Sequence, residues 1–425
     1  MSRGILPALL AALLLLGHSA WNAALAFDEL SEGLAPTHFL LRSGLLTLVF
    51  KGELELELHD LEGEGGPGND SPTDTKTIGT RSPFVEIDSF WLAPRLGIGD
   101  GLAFLSLLEF RPDGARVGGA WADVLLSGPQ RLEHHVEAGY NSPFVKIDQR
   151  TERYPLIATA WWREPELHLA YEAAWSPTTD VRLLGGVSLA MMRPLAPAGV
   201  QESTSHPGTI NILASAPARA FSGNGPVCGA RLRLDAFGTF VEAFGYLGRM
   251  AAEGGTDVLR SALPNYRYLD GGDEQGRYGD FRWAGARLGY SGYGAHALVE
   301  GIASREDLLQ RYGAYALISY EVPLAGGTGW FVSMEPLVRA ETLRIEGSTR
   351  ISESGHALRS TAPVNASSWD FDVMTAAVIA RLYGDLLRMR VEYYLIREHN
   401  GVPAQGVDNV PFRNDELLVQ LELRF

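Results

Sequence analysis

The sequence predicts an all-β protein, a transmembrane antiparallel β-barrel of about 16 strands (about 14–18), with short periplasmic turns and long external loops. Three observations lead there. Many segments alternate apolar and polar side chains over about ten to thirteen residues, near the length a tilted strand needs to cross a bilayer. The links between them alternate, with the even ones tight and the odd ones mostly long. Beyond the first 26 residues no run of about 18 apolar residues exists to form a membrane helix.

Residues 1–26 read as a secretory signal peptide. Arg3 is its only charge, Ile5 to Leu16 form the apolar stretch, and Ala24-Leu25-Ala26 supplies small-x-small cleavage chemistry. No Cys follows the site, which argues against a lipoprotein anchor. Residues 27–43 are then expected as a periplasmic N-terminal segment and 44–425 as the barrel.

Removing Arg3 from the 36 basic residues leaves 35 against 51 acidic ones, a formal charge of −16. Such a balance makes nucleic acid a poor partner, because phosphate neutralisation needs basic patches. The lone Cys228 excludes an intramolecular disulfide framework and a thiolate metal cluster. It reads as a small apolar residue near a strand end. With 48 Gly and 10% aromatics, and no linker dividing separate cores, the composition suits one large β architecture.

The first strand is expected over 45–59. Leu46, Leu48, Phe50, Leu54, Leu56 and Leu58 fall on one face, and Thr47, Lys51, Glu53, Glu55, Glu57 and His59 on the other. Further strands are expected near 84–96, 102–111, 115–126, 130–140, 166–175, 181–191, 228–235 and 239–249. The series continues near 281–291, 295–305, 311–322, 331–345, 368–384, 386–398 and 415–425.

Numbered from the first strand, the even links are short and rich in Gly and Asp, which supply the positive φ of tight hairpins. Gly97 to Gly101, Ala236-Phe237-Gly238, Gly292-Tyr293-Gly294 and Gly384-Asp385 are examples. Odd links are mostly long and polar: 60–83, 141–165, 192–227, 250–280, 346–367 and 399–414. A barrel with both termini in the periplasm requires this parity, whereas a soluble sandwich has no reason for it. Trp91, Tyr140, Trp175, Trp283, Trp330 and Trp369, near predicted strand ends, suit interfacial girdles.

The segment Glu137-Ala138-Gly139-Tyr140-Asn141-Ser142-Pro143-Phe144, followed by Arg150-Thr151-Glu152-Arg153-Tyr154-Pro155-Leu156, resembles a strand end of the phosphate- and polyphosphate-selective outer-membrane porins. The 16-strand rhythm and terminal Phe425 extend that resemblance over nearly the whole mature chain. It implies a passive channel, a homotrimer, and a terminal aromatic recognised by the barrel-assembly machinery. The arginine and lysine ladder that distinguishes phosphate-selective members is not matched here, so phosphate selectivity does not carry over.

Alternation nominates pore-lining residues: Lys51, Glu53, Glu55, Glu57, Arg131, Glu133, Glu137, Arg231, Arg233, Glu335, Arg339, Glu341, Arg388 and Arg390. Glu392, Glu422 and Arg424 continue the series. The first and last strands should close against each other, so Glu53 to Glu57 are expected to face Arg388, Arg390 and Arg424 as ion pairs. The 141–165 link carries Lys146, Asp148, Arg150, Glu152 and Arg153 and is expected as a constriction loop folded into the lumen.

No catalytic or metal constellation stands out, and no cofactor is expected. His134 and His135 are adjacent in a strand and face opposite sides. Gly97-x-Gly99-x-Gly101 lacks the helix and Lys of a phosphate loop. The acidic stretch Asp270-Gly271-Gly272-Asp273-Glu274 reads as solvated loop charge. The expected function is passive diffusion of small hydrophilic solutes or ions across the outer membrane, with lipid as the barrel's surroundings. The alternatives are a substrate-specific channel for hydrophobic or sugar-like solutes, and a barrel whose loops carry enzymatic, adhesive or scaffold roles. The closing segment "LLVQLELRF" is expected as the final strand, with Phe425 as the assembly signal.

Overall fold

The computed structural model describes residues 39–61, 84–99, 101–111, 114–127, 131–141, 145, 150–152, 166–192, 195–202, 210–215, 225–249, 280–306, 309–324, 330–346, 367–383, 386–402 and 415–425. The expected signal peptide and residues 27–38 lie outside them, as do most of the external links and 270–274.

In chain order the strands begin with β1 (Phe39–Ser43), β2 (Leu46–Leu61), β3 (Phe84–Ile98), β4 (Leu102–Arg111) and β5 (Gly114–Ser127). They continue with β6 (Leu132–Asn141), β7 (Glu166–Trp175), β8 (Val181–Met192), β9 (Leu195–Glu202) and β10 (Ile210–Ser215). Next come β11 (Gly225–Ala236), β12 (Thr239–Arg249), β13 (Asp280–Gly292), β14 (Ala295–Glu306) and β15 (Leu309–Tyr320). Last are β16 (Val322–Pro323), β17 (Phe331–Glu346), β18 (Ser367–Leu382), β19 (Leu387–Val402) and β20 (Glu416–Arg424).

Eighteen strands share one sheet, while β9 and β10 form a separate hairpin. Within the large sheet β16 continues β15, since both pair with β17, and β1 only extends the edge of β2. The rest form a closed antiparallel barrel of 16 strands, joined where β2 pairs with β20. The expected strand series is therefore observed. Two features were not expected: strand β1 inside the N-terminal segment, and the β9–β10 hairpin inside the 192–227 link.

Exposure alternates along the strands as a bilayer demands. On β17, Met334, Val338 and Ala340 are exposed, while Ser333, Glu335, Leu337, Arg339, Glu341 and Leu343 are buried. On β2, Leu56 and Leu58 face out and Glu53, Glu55 and Glu57 face in. Apolar side chains on the lipid side carry no desolvation cost there, whereas Arg or Lys at mid-membrane would cost about 2–4 kcal/mol. Cys228 is exposed on the outward face of β11, between inward Val227 and Gly229. Trp175 and Trp330 are exposed at strand ends, as girdle residues should be. Trp283 corrects the girdle expectation: it is 4% exposed and packs inside against Tyr246, edge to face at 6.2 Å.

The seam between first and last strands is tight. Phe425 N–H donates to the Gly52 carbonyl at 3.0 Å, and Gly52 N–H donates to the Phe425 carbonyl at 2.7 Å. Where β20 runs out, β1 takes over and pairs Phe39 to Ser43 with Phe50 to Leu46. The Phe425 ring stacks on Phe90 with centroids 6.2 Å apart and lies over Gly52. A Cβ at residue 52 would run into the tip of that ring, so any larger residue there must push the ring aside. Gly52→Ala should therefore displace the ring and destabilise closure by about 1–3 kcal/mol, the usual cost of overpacking. The temperature at which the folded band is lost in heat-modifiability electrophoresis should fall; an unchanged temperature would show that Phe425 is not anchored there.

Candidate functional site

The interior is polar and ionic where the sequence alternates acids with arginines. At the seam, Arg424 Nε lies 2.8 Å from Glu53 Oε2 and 3.0 Å from Glu422 Oε2. Arg390 Nη1 lies 2.6 Å from Glu422 Oε1, and Arg388 Nη1 is 3.7 Å from the same carboxylate. The carboxylates of Glu53, Glu55 and Glu422 converge within 4.8 Å, with these arginines placed among them.

A second network spans β7, β11, β12 and β13. Arg231 pairs with Glu172, Arg287 Nη2 lies 2.8 Å from Glu242, and Arg233 bonds Asp235 at 2.7 Å. Arg233 also stacks 4.2 Å over the Phe240 ring. On β6, Glu137 meets His168 at 2.6 Å and accepts from Asn141 at 2.9 Å. His135 pairs inward with Asp123, while His134 meets the Tyr171 hydroxyl at 2.7 Å on the opposite face.

Most of the nominated wall residues face in. Lys51, Glu53, Glu55 and Glu57 share the inner face of β2, and Arg231, Glu335, Arg339, Glu341 and Arg390 are buried within. Glu133 is half exposed near the end of β6, 3.5 Å from Arg182. Arg131 does not line the wall. It lies in the turn before β6 with φ of 62° and is exposed, its carbonyl accepting from Ser176 N–H. The alternating pattern does not extend to it because the chain has already turned. Sequence reasoning left out Glu109, Glu172, Glu242, Arg287 and Glu300, all inward on strands it had placed. Each is a charge between apolar neighbours, a signal that extending the same alternation would have found.

The link after β6 supplies a further element. Val145 N–H donates to the Tyr246 hydroxyl of β12 at 3.2 Å. Arg150 Nη1 then donates to Glu335 Oε1 on β17 at 2.8 Å, and the Thr151 hydroxyl meets Arg339 on the same strand. Glu152 N–H reaches both oxygens of Glu392 on β19 at 3.0 and 3.1 Å. Its carboxylate accepts from Arg390 at 3.2 Å and from Gln420 of β20 at 2.5 Å. Around the ring β17 lies eight strands from β6 in either direction, so this segment reaches the opposite wall. Lys146, Asp148 and Arg153 lie outside the described residues.

Burial makes these contacts consequential. Glu242, Glu392 and Glu422 are 0% exposed, and Arg339 is 1% exposed. A buried charge stripped of its partner is expensive, whereas a satisfied pair is close to neutral. Alongside lies an apolar half of the interior, with Phe244, Tyr246, Trp283, Leu298, Ile302, Tyr315, Leu317 and Leu337 in one cluster.

No protein-family model matches the sequence, and no curated protein matches it. Solved structures do match. Pseudomonas putida OprB aligns over 89% of this chain and 94% of its own, with a TM-score of 0.54 and 10% identity. The anion-selective porin from Comamonas acidovorans aligns over 89% of this chain and 100% of its own, with a TM-score of 0.50 and 10% identity. These similarities establish the fold, that of outer-membrane barrels.

Arg390 sits between Glu152 and Glu422, and its replacement should expose how far the interior depends on charge pairing. Arg390→Met is expected to destabilise the barrel by about 3–5 kcal/mol, with partial recovery on adding Glu422→Gln. Denaturant unfolding in detergent micelles checks this; additive losses in the double variant would show that the pair is not coupled.

Proposed function

We propose that this chain is an outer-membrane channel through which small hydrophilic solutes or ions diffuse passively. The observation that carries this reading is the 150–152 segment, which reaches from the end of β6 to the opposite wall and bonds to β17, β19 and β20. A closed barrel of 16 strands is wide enough for an aqueous lumen, unlike an eight-stranded one filled by its side chains. A chain segment across that lumen narrows it, and Lys146, Asp148, Arg150, Glu152 and Arg153 form the constriction loop in this reading.

Selectivity should be weak, because the inward charges are largely matched. Glu53 with Arg424, Glu335 with Arg150, and Glu242 with Arg287 each cancel locally. The burial of these side chains favours a narrow passage over a wide one, which supports a substrate-specific channel as the second reading. The phosphate selectivity of the family that the sequence resembles does not carry over, and a homotrimer rests on that resemblance alone. Phe425, which closes the seam against Gly52, is read as the assembly signal.

Purified protein in a planar bilayer should give discrete ohmic steps; repeated reconstitutions without conductance would reject the channel. Reversal potential in a salt gradient should show weak ion preference, and a strong anion preference would overturn the reading of the wall. Deleting 146–165 should raise conductance severalfold if the segment narrows the passage. An unchanged value would reject the constriction.

A further inference from the structure

The outer surface of the barrel is not uniformly apolar. Strand parity and exposure together pick out the charges that point toward lipid. Arg282 shares the exposed face of β13 with Ala284 and Leu288, opposite inward Trp283. Arg305 does the same on β14, in line with Val299 and Ala303. On β17 Arg344 lies in line with Val338 and Ala340, on β18 Asp372 follows Met374, and on β19 Arg397 follows Tyr393. Exposed Tyr312 holds the corresponding place on β15. With β16 continuing β15, these strands are consecutive around the ring, so the residues form one arc.

The arc lies at one height. Arg282, Arg305, Asp372 and Arg397 each stand ten residues from the periplasmic end of their strands. At about 3.4 Å per residue and a tilt near 40°, that is about 26 Å up the wall, roughly the height of the apolar band of such barrels. Below the row the outward positions are apolar, as at Ala284, Ala303, Ala314 and Met374. The arginines therefore stand where hydrocarbon gives way to the headgroups of the external leaflet, a depth at which they cost far less than at mid-membrane.

Near the same end of β2 to β7 the outward residues are apolar instead: Leu58, Val85, Phe110, Val117 and Leu167. The arginines thus mark one side of the barrel rather than a rim around it. In a chain with an excess of acids, the outward charges described on this arc are four arginines and one aspartate. Arg282 and Arg305 are direct cross-strand neighbours. Like charges so placed repel, and an anion between them turns that repulsion into attraction. Arg344 donates to both oxygens of Asp372 at 2.8 and 2.9 Å, and Arg397 lies 3.5 Å from Asp415. Their side chains are nonetheless 42% and 50% exposed. A guanidinium carries five N–H donors in a planar fork that matches phosphate oxygens. We propose that this arc binds a phosphorylated lipid headgroup of the external leaflet. Arg282 and Arg305 clamp the phosphate, Arg344 and Arg397 extend the site along the arc, and the acyl chains lie on the apolar wall beneath. A second copy of the chain is the poorer occupant, because the β2 to β7 side presents no outward carboxylate among the described residues. The site needs only the barrel and its facing toward lipid, and it stands whether or not the lumen conducts.

The test uses the full chain refolded in dodecyl maltoside micelles and titrated with diphosphoryl lipid A, with bound lipid counted by native mass spectrometry. Arg282→Gln with Arg305→Gln should weaken binding at least about tenfold, since bonds to a charged group are lost. Arg182→Gln, which removes one exposed charge near the periplasmic end, should leave binding unchanged. The folded band in heat-modifiability electrophoresis shows that each variant is closed. Should the double Gln variant lose that band, Arg282→Lys with Arg305→Lys keeps the charge and should still weaken binding severalfold through loss of the planar fork. Unchanged binding in the folded double variant overturns the site, and so does an equal loss with Arg182→Gln. Equally tight binding of the same lipid stripped of its phosphates overturns headgroup recognition. Competition by inorganic phosphate at equal concentration overturns the lipid as occupant.

Discussion

Everything in this molecule depends on closing the sheet. A strand in hydrocarbon cannot leave backbone N–H and C=O groups unpaired, since no water is there to satisfy them. The seam between β2 and β20 is therefore the most demanding contact in the barrel. It is met at three levels: the ladder from Glu53–Arg424 to Leu61–Glu416, the Gly52–Phe425 bond pair, and the Arg424–Glu53 ion pair behind them. Strand β1 completes the arrangement. It covers the portion of β2 from Leu46 to Phe50 that lies outside the pairing with β20.

Closure then creates the second constraint, an interior that must accept every charge the strands turn inward. Outward positions are fixed by lipid, so the sequence has freedom only on the inner face. It uses that freedom in two ways. Around β2, β19 and β20 the inner face is dense in Arg and Glu, arranged so that neighbouring strands present opposite signs. Across β12 to β18 it is more apolar and aromatic, with Tyr246, Trp283, Tyr315 and Leu337 packed together. The crossing segment touches both parts, meeting Tyr246 through Val145 and Glu335 of β17 through Arg150, and Arg390 of β19 through Glu152.

Much of this was legible in the sequence because period-two alternation carries both the strand and its facing. The acids of β2 and the arginines of β19 and β20 declare themselves as inward simply by parity. The facing of Glu53 and Arg424 follows once the termini are taken to meet, and the structure brings them to 2.8 Å. Arg131 shows where parity stops: one residue before β6 the backbone is left-handed and the residue is exposed. Trp283 shows a different limit. An aromatic near a strand end fits a girdle or an interior equally well by composition, and only the register with Tyr246 decides. Strand β1 was hidden because Phe39-Leu40-Leu41-Arg42-Ser43 is short and hardly alternates, and its partner is supplied by the closure.

The contacts of 150–152 could not be read from the sequence at all, since they join residues separated by 185 to 268 positions. Their chemistry nonetheless says what kind of attachment this is. Arg150, Thr151 and Glu152 are held by hydrogen bonds and ion pairs, whereas β18 and β19 are held to each other by a continuous backbone ladder. A ladder is cooperative and insensitive to protonation. A polar anchor is neither: each bond is worth about 0.5–1.5 kcal/mol net, or about 1.5–3 when a charge is involved. The attachment can therefore be strong enough to define a preferred position for the segment without adding to the closure on which the barrel wall rests.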